Sequence, residues 1–191
     1  MELKQLRKCM KDILSDSRYL HTLGVEEVCY DLALIHGDDT LKASIAGILH
    51  DCAKHLTEED LIKECERNKI EVSKYERKLP RVLLHAKVGA IYAKEKYGVT
   101  DDDILKAIES HTTGRPGMSR LEKIVYVADY IEPNRDIIPN IDFIREIAYK
   151  DLNNAIELIT KQTLQYLSEN KYVIDPLTKV TYEYYVNKNN I

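Results

Sequence analysis

Gly47-Ile48-Leu49-His50-Asp51-Cys52-Ala53-Lys54 closes an apolar stretch that begins at Ile45, and it ends that stretch with an imidazole beside a carboxylate. Leu41, Ile45, Ile48 and Leu49 recur at three- and four-residue steps, the spacing of one buried helix face, with Thr40 as the expected N-cap. His50 and Asp51 continue that helix, and Lys54, four residues after His50 and three after Asp51, shares their face. Burying a carboxylate beside an imidazole costs on the order of several kcal/mol unless a cation compensates it. A divalent metal ion fills that need, because His nitrogen and Asp oxygen are both good first-row ligands. A cationic Lys54 on the same face is placed to hold a phosphate oxygen.

Working outward, the helical period dominates the chain. Leu3, Leu6, Met10, Ile13 and Leu14 mark a first helix. A second starts near Ser15 or Ser17, carries Leu20, Leu23, Val28, Leu32 and Ile35, and ends at His36-Gly37, where Gly37 suits a left-handed cap. Thr57-Glu58-Glu59-Asp60 reads as a capping box before Leu61, Ile62 and Cys65. Further helices are expected over 86–97, 101–111, 119–132, 140–149 and 152–170, with a last one around 177–187. Asp101-Asp102-Asp103 reads as an acidic helix start, and Thr112 to Met118 as a loop. The expectation is an all-α, single-domain bundle over 1–191, with a core at 15–170 and a helical tail at 171–191.

Composition narrows the function classes. The hydrophobic set makes up 44 % and charged residues 31 %, ordinary for a folded globule. A net charge of −4 is a poor basis for gripping a nucleic-acid backbone, so no nucleic-acid partner is expected. No apolar run reaches membrane-spanning length, and the N-terminus lacks the core of a signal peptide. The four cysteines form no CxxC pair. Reduced thiols, a cytoplasmic location and no membrane partner are the expectation.

Two further residues repeat the problem posed by His50 and Asp51. Asp129 sits inside Ile124-Val125-Tyr126-Val127-Ala128-Asp129-Tyr130-Ile131, and His21 between Leu20 and Leu23. His21, then His50-Asp51, then Asp129 has the order and helical setting of the HD-domain metal-dependent phosphohydrolases, which the chain resembles. Leu84-His85, His111-Thr112-Thr113-Gly114-Arg115-Pro116-Gly117-Met118 and Ala128-Asp129-Tyr130-Ile131-Glu132-Pro133-Asn134-Arg135 sharpen the likeness to the YqeK-type symmetrical bis(5′-nucleosyl)-tetraphosphatases. It spans roughly residues 15 to 170. Ala86, where that pattern has Gly or Ser, is the main departure.

The resemblance implies a two-metal centre held by His21, His50, Asp51, His85, His111 and Asp129, with Asp51 bridging. It also implies symmetrical cleavage of diadenosine tetraphosphate to two ADP, by attack of a metal-activated hydroxide on an inner phosphorus. Two divalent ions about 3.5–4 Å apart cancel the charge that repels such a nucleophile. Mixed His/Asp ligation suits iron foremost, or Mn, Co or Zn, over Mg. Asp51 and Lys54 are the expected catalytic pair. Arg18, Lys54, Thr113, Gly114, Arg115 and Arg135 are the expected substrate contacts, Arg115 offering a bidentate fork. His36 and His55 are left outside the site, the first at a helix end and the second exposed. A nucleotide phosphatase, a cyclic-nucleotide phosphodiesterase on the same scaffold, and a non-catalytic nucleotide sensor are the alternatives. The expected ligand is a small dinucleoside polyphosphate or nucleotide, and the expected assembly a monomer or homodimer.

Overall fold

Helix boundaries follow local chemistry closely. The structure, a computed structural model, describes residues 1–135 and 138–189. Within them lie α1 (Leu3–Ile13), α2 (Asp16–His36), α3 (Thr40–Leu49), α4 (Glu58–Arg67), α5 (Pro80–Glu95), α6 (Asp102–Ser110), α7 (Arg120–Ile131), α8 (Ile141–Ala148), α9 (Leu152–Glu169) and α10 (Pro176–Asn189). The described residues contain no strand, so the all-α expectation stands. The tail expected to run to 191 is described as far as Asn189.

Most starts and stops carry the expected caps. Ser15 accepts from the Arg18 amide, and Gly37 ends α2 in the left-handed region at φ 70°. Thr57 accepts from the Asp60 amide, and Asp101 from the amides of Asp103 and Ile104. Three expectations need correction. Asp39, not Thr40, caps α3, because its carboxylate takes the Leu41 and Lys42 amides at 2.9 and 3.0 Å. α3 also stops at Leu49, so His50 is its C-cap and Asp51 lies in the turns beyond it rather than on the helix. The fifth helix starts six residues before the expected 86, because Pro80 occupies its first turn, where a missing N–H costs nothing. His85 therefore sits in the second turn, not ahead of the helix.

α7 is the axis of the assembly. It packs against α2, α3, α6, α8 and α9, and Leu121, Ile124, Val125, Val127, Ala128 and Ile131 bury nearly its whole circumference. α2 and α3 lie on one side, α5 between α4 and α6 on another, and α9 carries α10. Leu6 and Met10 of α1 complete the same core. Among the described residues no helix is long and apolar enough to cross a membrane.

α3 lies close against α2 at Gly47. A Cβ there would stand 3.0 Å from both the Cys29 sulfur and the Glu26 Cα, tight enough that any side chain makes its neighbours give way. Gly47→Val forces the two helices apart. It should lower unfolding free energy by about 1–3 kcal/mol in urea titrations followed by circular dichroism. Unchanged stability would show that the α2–α3 contact has slack.

Candidate metal centre

Five elements deliver side chains to one point beneath the surface. His21 projects from the second turn of α2, His50 caps α3, and Asp51 follows in the turn. His85 comes from the second turn of α5, His111 caps α6, and Asp129 lies in the last turn of α7. All but the partly exposed Asp129 are buried.

Asp51 divides its two oxygens. Oδ2 lies 3.5 Å from His50 Nε2 and 4.0 Å from His21 Nε2. Oδ1 lies 3.2 Å from His85 Nε2 and 3.8 Å from His111 Nε2. Asp129 Oδ1 joins the first pair, 3.1 Å from His21 Nε2 and 3.9 Å from His50 Nε2. His21, His50 and Asp51 thus form one group of convergent ligand atoms and Asp51, His85 and His111 a second, each within 4.8 Å.

The tautomers are set from behind. His50 Nδ1 is 2.7 Å from the Gly47 carbonyl and His111 Nδ1 2.7 Å from the Ile108 carbonyl. His21 Nδ1 is 3.1 Å from Glu132 Oε1. A carbonyl or carboxylate oxygen only accepts, so these Nδ1 atoms donate and each Nε2 presents a lone pair inward. Those lone pairs face each other at 3.3 Å between His21 and His50, and His85 Nε2 is 3.1 Å from His111 Nε2. Lone pairs so placed repel unless a cation shares them, and this donor set fits divalent metal ions.

The electrostatics agree. Burial pushes the His111 pKa down to about 3, helped by His85 and His50, and burial lowers that of His85. Both rings are therefore neutral at physiological pH. Burial opposes ionisation of Asp51, but His50 and His85 more than offset it and hold its carboxyl well below the usual range. For Asp129, burial is likewise overcome, first by its close contact with His21 and then by the nearby His50 and Arg135.

Cations ring the cluster. Arg18 Nη1 donates to Asp51 Oδ2 at 2.9 Å, and Arg135 Nη2 to Asp129 Oδ1 at 2.9 Å. Lys54 Nζ lies 3.3 Å from both ring nitrogens of His85, and burial lowers its pKa. Arg115 is engaged elsewhere. Its Nε and Nη2 donate to the two carboxylate oxygens of buried Glu122, each at 2.6 Å, so the fork expected for phosphate is already used in bracing its own loop. Thr113, Gly114 and Arg115 line a cleft of about 640 Å³ that also includes Thr112. The Thr112 hydroxyl lies 3.4 Å from His85 Nε2 and 3.3 Å from His111 Nε2, so one wall residue of the cleft touches that half of the cluster. His36 and His55 stay outside it; His36 Nε2 contacts the Ala148 carbonyl at 2.8 Å, and His55 is exposed.

Glu132, Gly24, Thr112 and Glu122 were not singled out from sequence. Glu132 carried a signal, since it is an acid directly after the buried Tyr126 to Ile131 stretch, the same pattern that flagged Asp129. Gly24 carried none. A Cβ there would stand 2.5 Å from Glu132 Oε2, a contact that exists only once α2 meets the end of α7.

The HD domain family matches residues 18–134 of this sequence, the span that holds every histidine and aspartate of the cluster. The chain belongs to the HD-domain family. A symmetrical bis(5′-nucleosyl)-tetraphosphatase of Bacillus subtilis (strain 168) is 41 % identical over 98 % of this chain and 99 % of its own. One from Halalkalibacterium halodurans is 43 % identical over 91 % of each. The crystal structure of a "predicted HD superfamily hydrolase involved in NAD metabolism" from Clostridium acetobutylicum superposes with a TM-score of 0.94, at 38 % identity and 98 % coverage of both chains. The His-Asp dipeptide that names the family is here His50-Asp51, and the divalent-metal site is built around it.

Glu132 fixes His21 and is itself held by the Asn134 amide and side chain at 2.8 and 2.9 Å. Gly24→Ala drives a methyl group into its carboxylate. Calorimetric manganese titration should show affinity in the His21–His50 half falling roughly 10–100-fold with the fold intact. Wild-type affinity would mean that Glu132 does not orient His21.

Proposed function

We propose that this chain is a metal-dependent hydrolase that splits diadenosine tetraphosphate symmetrically into two ADP. The observation that carries the reading is the division of Asp51, with one oxygen toward each histidine pair. His21, His50 and Asp129 would hold one ion and His85 and His111 a second, with Asp51 able to contribute to both. The mixed imidazole and carboxylate donors favour iron, with Mn, Co or Zn next. The substrate follows from the relatives that this chain matches end to end, both symmetrical bis(5′-nucleosyl)-tetraphosphatases.

When loaded, such a centre supplies Lewis acidity against phosphate charge and activates water at neutral pH. The chain's own groups do the rest. Asp51 and Asp129 keep their negative charge, which favours the loading of cations. Lys54, Arg18 and Arg135 offer positive charge to the non-bridging oxygens of a highly anionic chain of four phosphates. Thr113 and Gly114 lie in the loop that borders the same cleft. In the balance, the oxygen of one water forms a new bond to an inner phosphorus, and the bond from that phosphorus to the central bridging oxygen breaks. Two ADP leave with the protons of that water shared between them and solvent.

Regiochemistry tests the reading directly. In water enriched in heavy oxygen, mass spectrometry of the products should show only ADP, one labelled oxygen for each pair. Formation of AMP and ATP would overturn the symmetrical assignment.

The number of ions is read from His85→Ala and His111→Ala. Each variant should bind about one ion instead of two and lose roughly two to four orders of magnitude in turnover. Full metal content and wild-type rate in both variants would leave a centre of one ion.

A further inference from the structure

α10 lies outside residues 18–134 that match the HD domain, yet it forms part of the cleft whose Thr112 wall touches the cluster. It carries two stripes. Thr178, Thr181 and Tyr185 face the core and are buried. Leu177 and Val180, three residues apart on another face, line the cleft and are 40 % and 45 % exposed. Large apolar side chains in a concave site next to a catalytic cluster are what a flat, apolar ligand face requires.

The helix is also locked to the loop that borders the cluster. Gly114, at φ 62°, has no room for a side chain, since a Cβ would stand 2.8 Å from Thr181 Cγ2. Leu177 and Val180 are therefore held in fixed relation to Thr112, whose hydroxyl touches His85 and His111. The α10 end of the cleft carries an acid. Asp175 lines it just before α10, with Oδ1 accepting from the Leu177 amide. Its carboxylate repels phosphate from that end and accepts from sugar hydroxyls or an exocyclic amine. The Thr112 end is the one that touches His85 and His111, so a phosphate chain bound to the cluster would enter the cleft there.

We propose that α10 is the nucleoside wall of the site, with Leu177 and Val180 packing against the base of one nucleoside of the substrate. Tyr75 and Leu83 add apolar surface to the same cleft. This rests on the dinucleoside polyphosphate reading and extends it. α10 discriminates a nucleotide from a bare polyphosphate, while the histidine cluster handles only the phosphate chain.

The test is the full-length, manganese-loaded protein carrying Leu177→Ala and Val180→Ala together, two exposed positions where alanine keeps the helix. Calorimetry with ADP and with inorganic pyrophosphate separates a wall contact from a loop effect. ADP affinity should fall roughly tenfold while pyrophosphate affinity stays within about twofold. The KM for diadenosine tetraphosphate should rise by a similar factor. Unchanged ADP binding would overturn the proposal, and so would equal losses for both ligands, which would place the effect in the loop. Should the wild-type protein hydrolyse no diadenosine tetraphosphate, the substrate reading fails, and the ADP and pyrophosphate comparison still decides the wall.

Discussion

A buried carboxylate shared by four imidazoles is the constraint from which the rest of this molecule follows. Asp51 is 2 % exposed, and a charge so placed is tolerated only where positive charge surrounds it. Its position demands that α3 end at Leu49 so that the chain can turn inward. It also demands that α5 come close behind. Gly89 permits this, for a Cβ there would lie 3.4 Å from the His50 carbonyl oxygen and 3.3 Å from Ile108 Cγ2. Gly47 and Gly89 stand where α3 and α5 pass close to their neighbours beside this polar centre.

The two halves of the cluster share a design. His50 and His111 each cap a helix at its C-terminal end, and each ring donates to the carbonyl three residues back. One backbone contact thus fixes both ring orientation and tautomer, with no outside partner. The C-terminal ends of α3 and α6 also carry the negative end of the helix dipole, which favours a cation at the point where they meet. His21 is oriented differently, by Glu132 across the α2–α7 contact, so its half depends on tertiary packing that the other does not need.

Around this centre the protein separates bracing from binding. Buried Glu122 takes Arg115, the Ser119 amide at 2.7 Å and the Ser110 hydroxyl at 3.1 Å, tying the end of α6 to the start of α7 across the 112–118 loop. Charge-assisted contacts of this kind hold Thr112 to Gly114 at the mouth of the cleft. Arg18, Lys54 and Arg135 lie nearer the cluster and are more exposed to an incoming ligand than the core that carries them. Arg18 and Arg135 hold the carboxylates of Asp51 and Asp129, and Lys54 lies against the His85 ring.

The sequence by itself determined the helices and the centre's chemistry. Periodic apolar residues and strong caps such as Ser15, Thr57 and Asp101 act over one turn, so they are legible without knowing the fold. His21, His50, Asp51 and Asp129 stood out because a polar ligand in an apolar run violates the pattern locally, and resemblance to a known family added His85 and His111. Tertiary structure decided what depends on distant atoms. The end of α3 at Leu49, the Arg115–Glu122 pair, the close approach of Gly24 to Glu132 and the two faces of α10 each arise from elements far apart in the chain meeting in space. Propensity and periodicity describe how a segment folds onto itself. Which carboxylate an arginine finds, and which glycine must stay bare, is fixed only when helices pack.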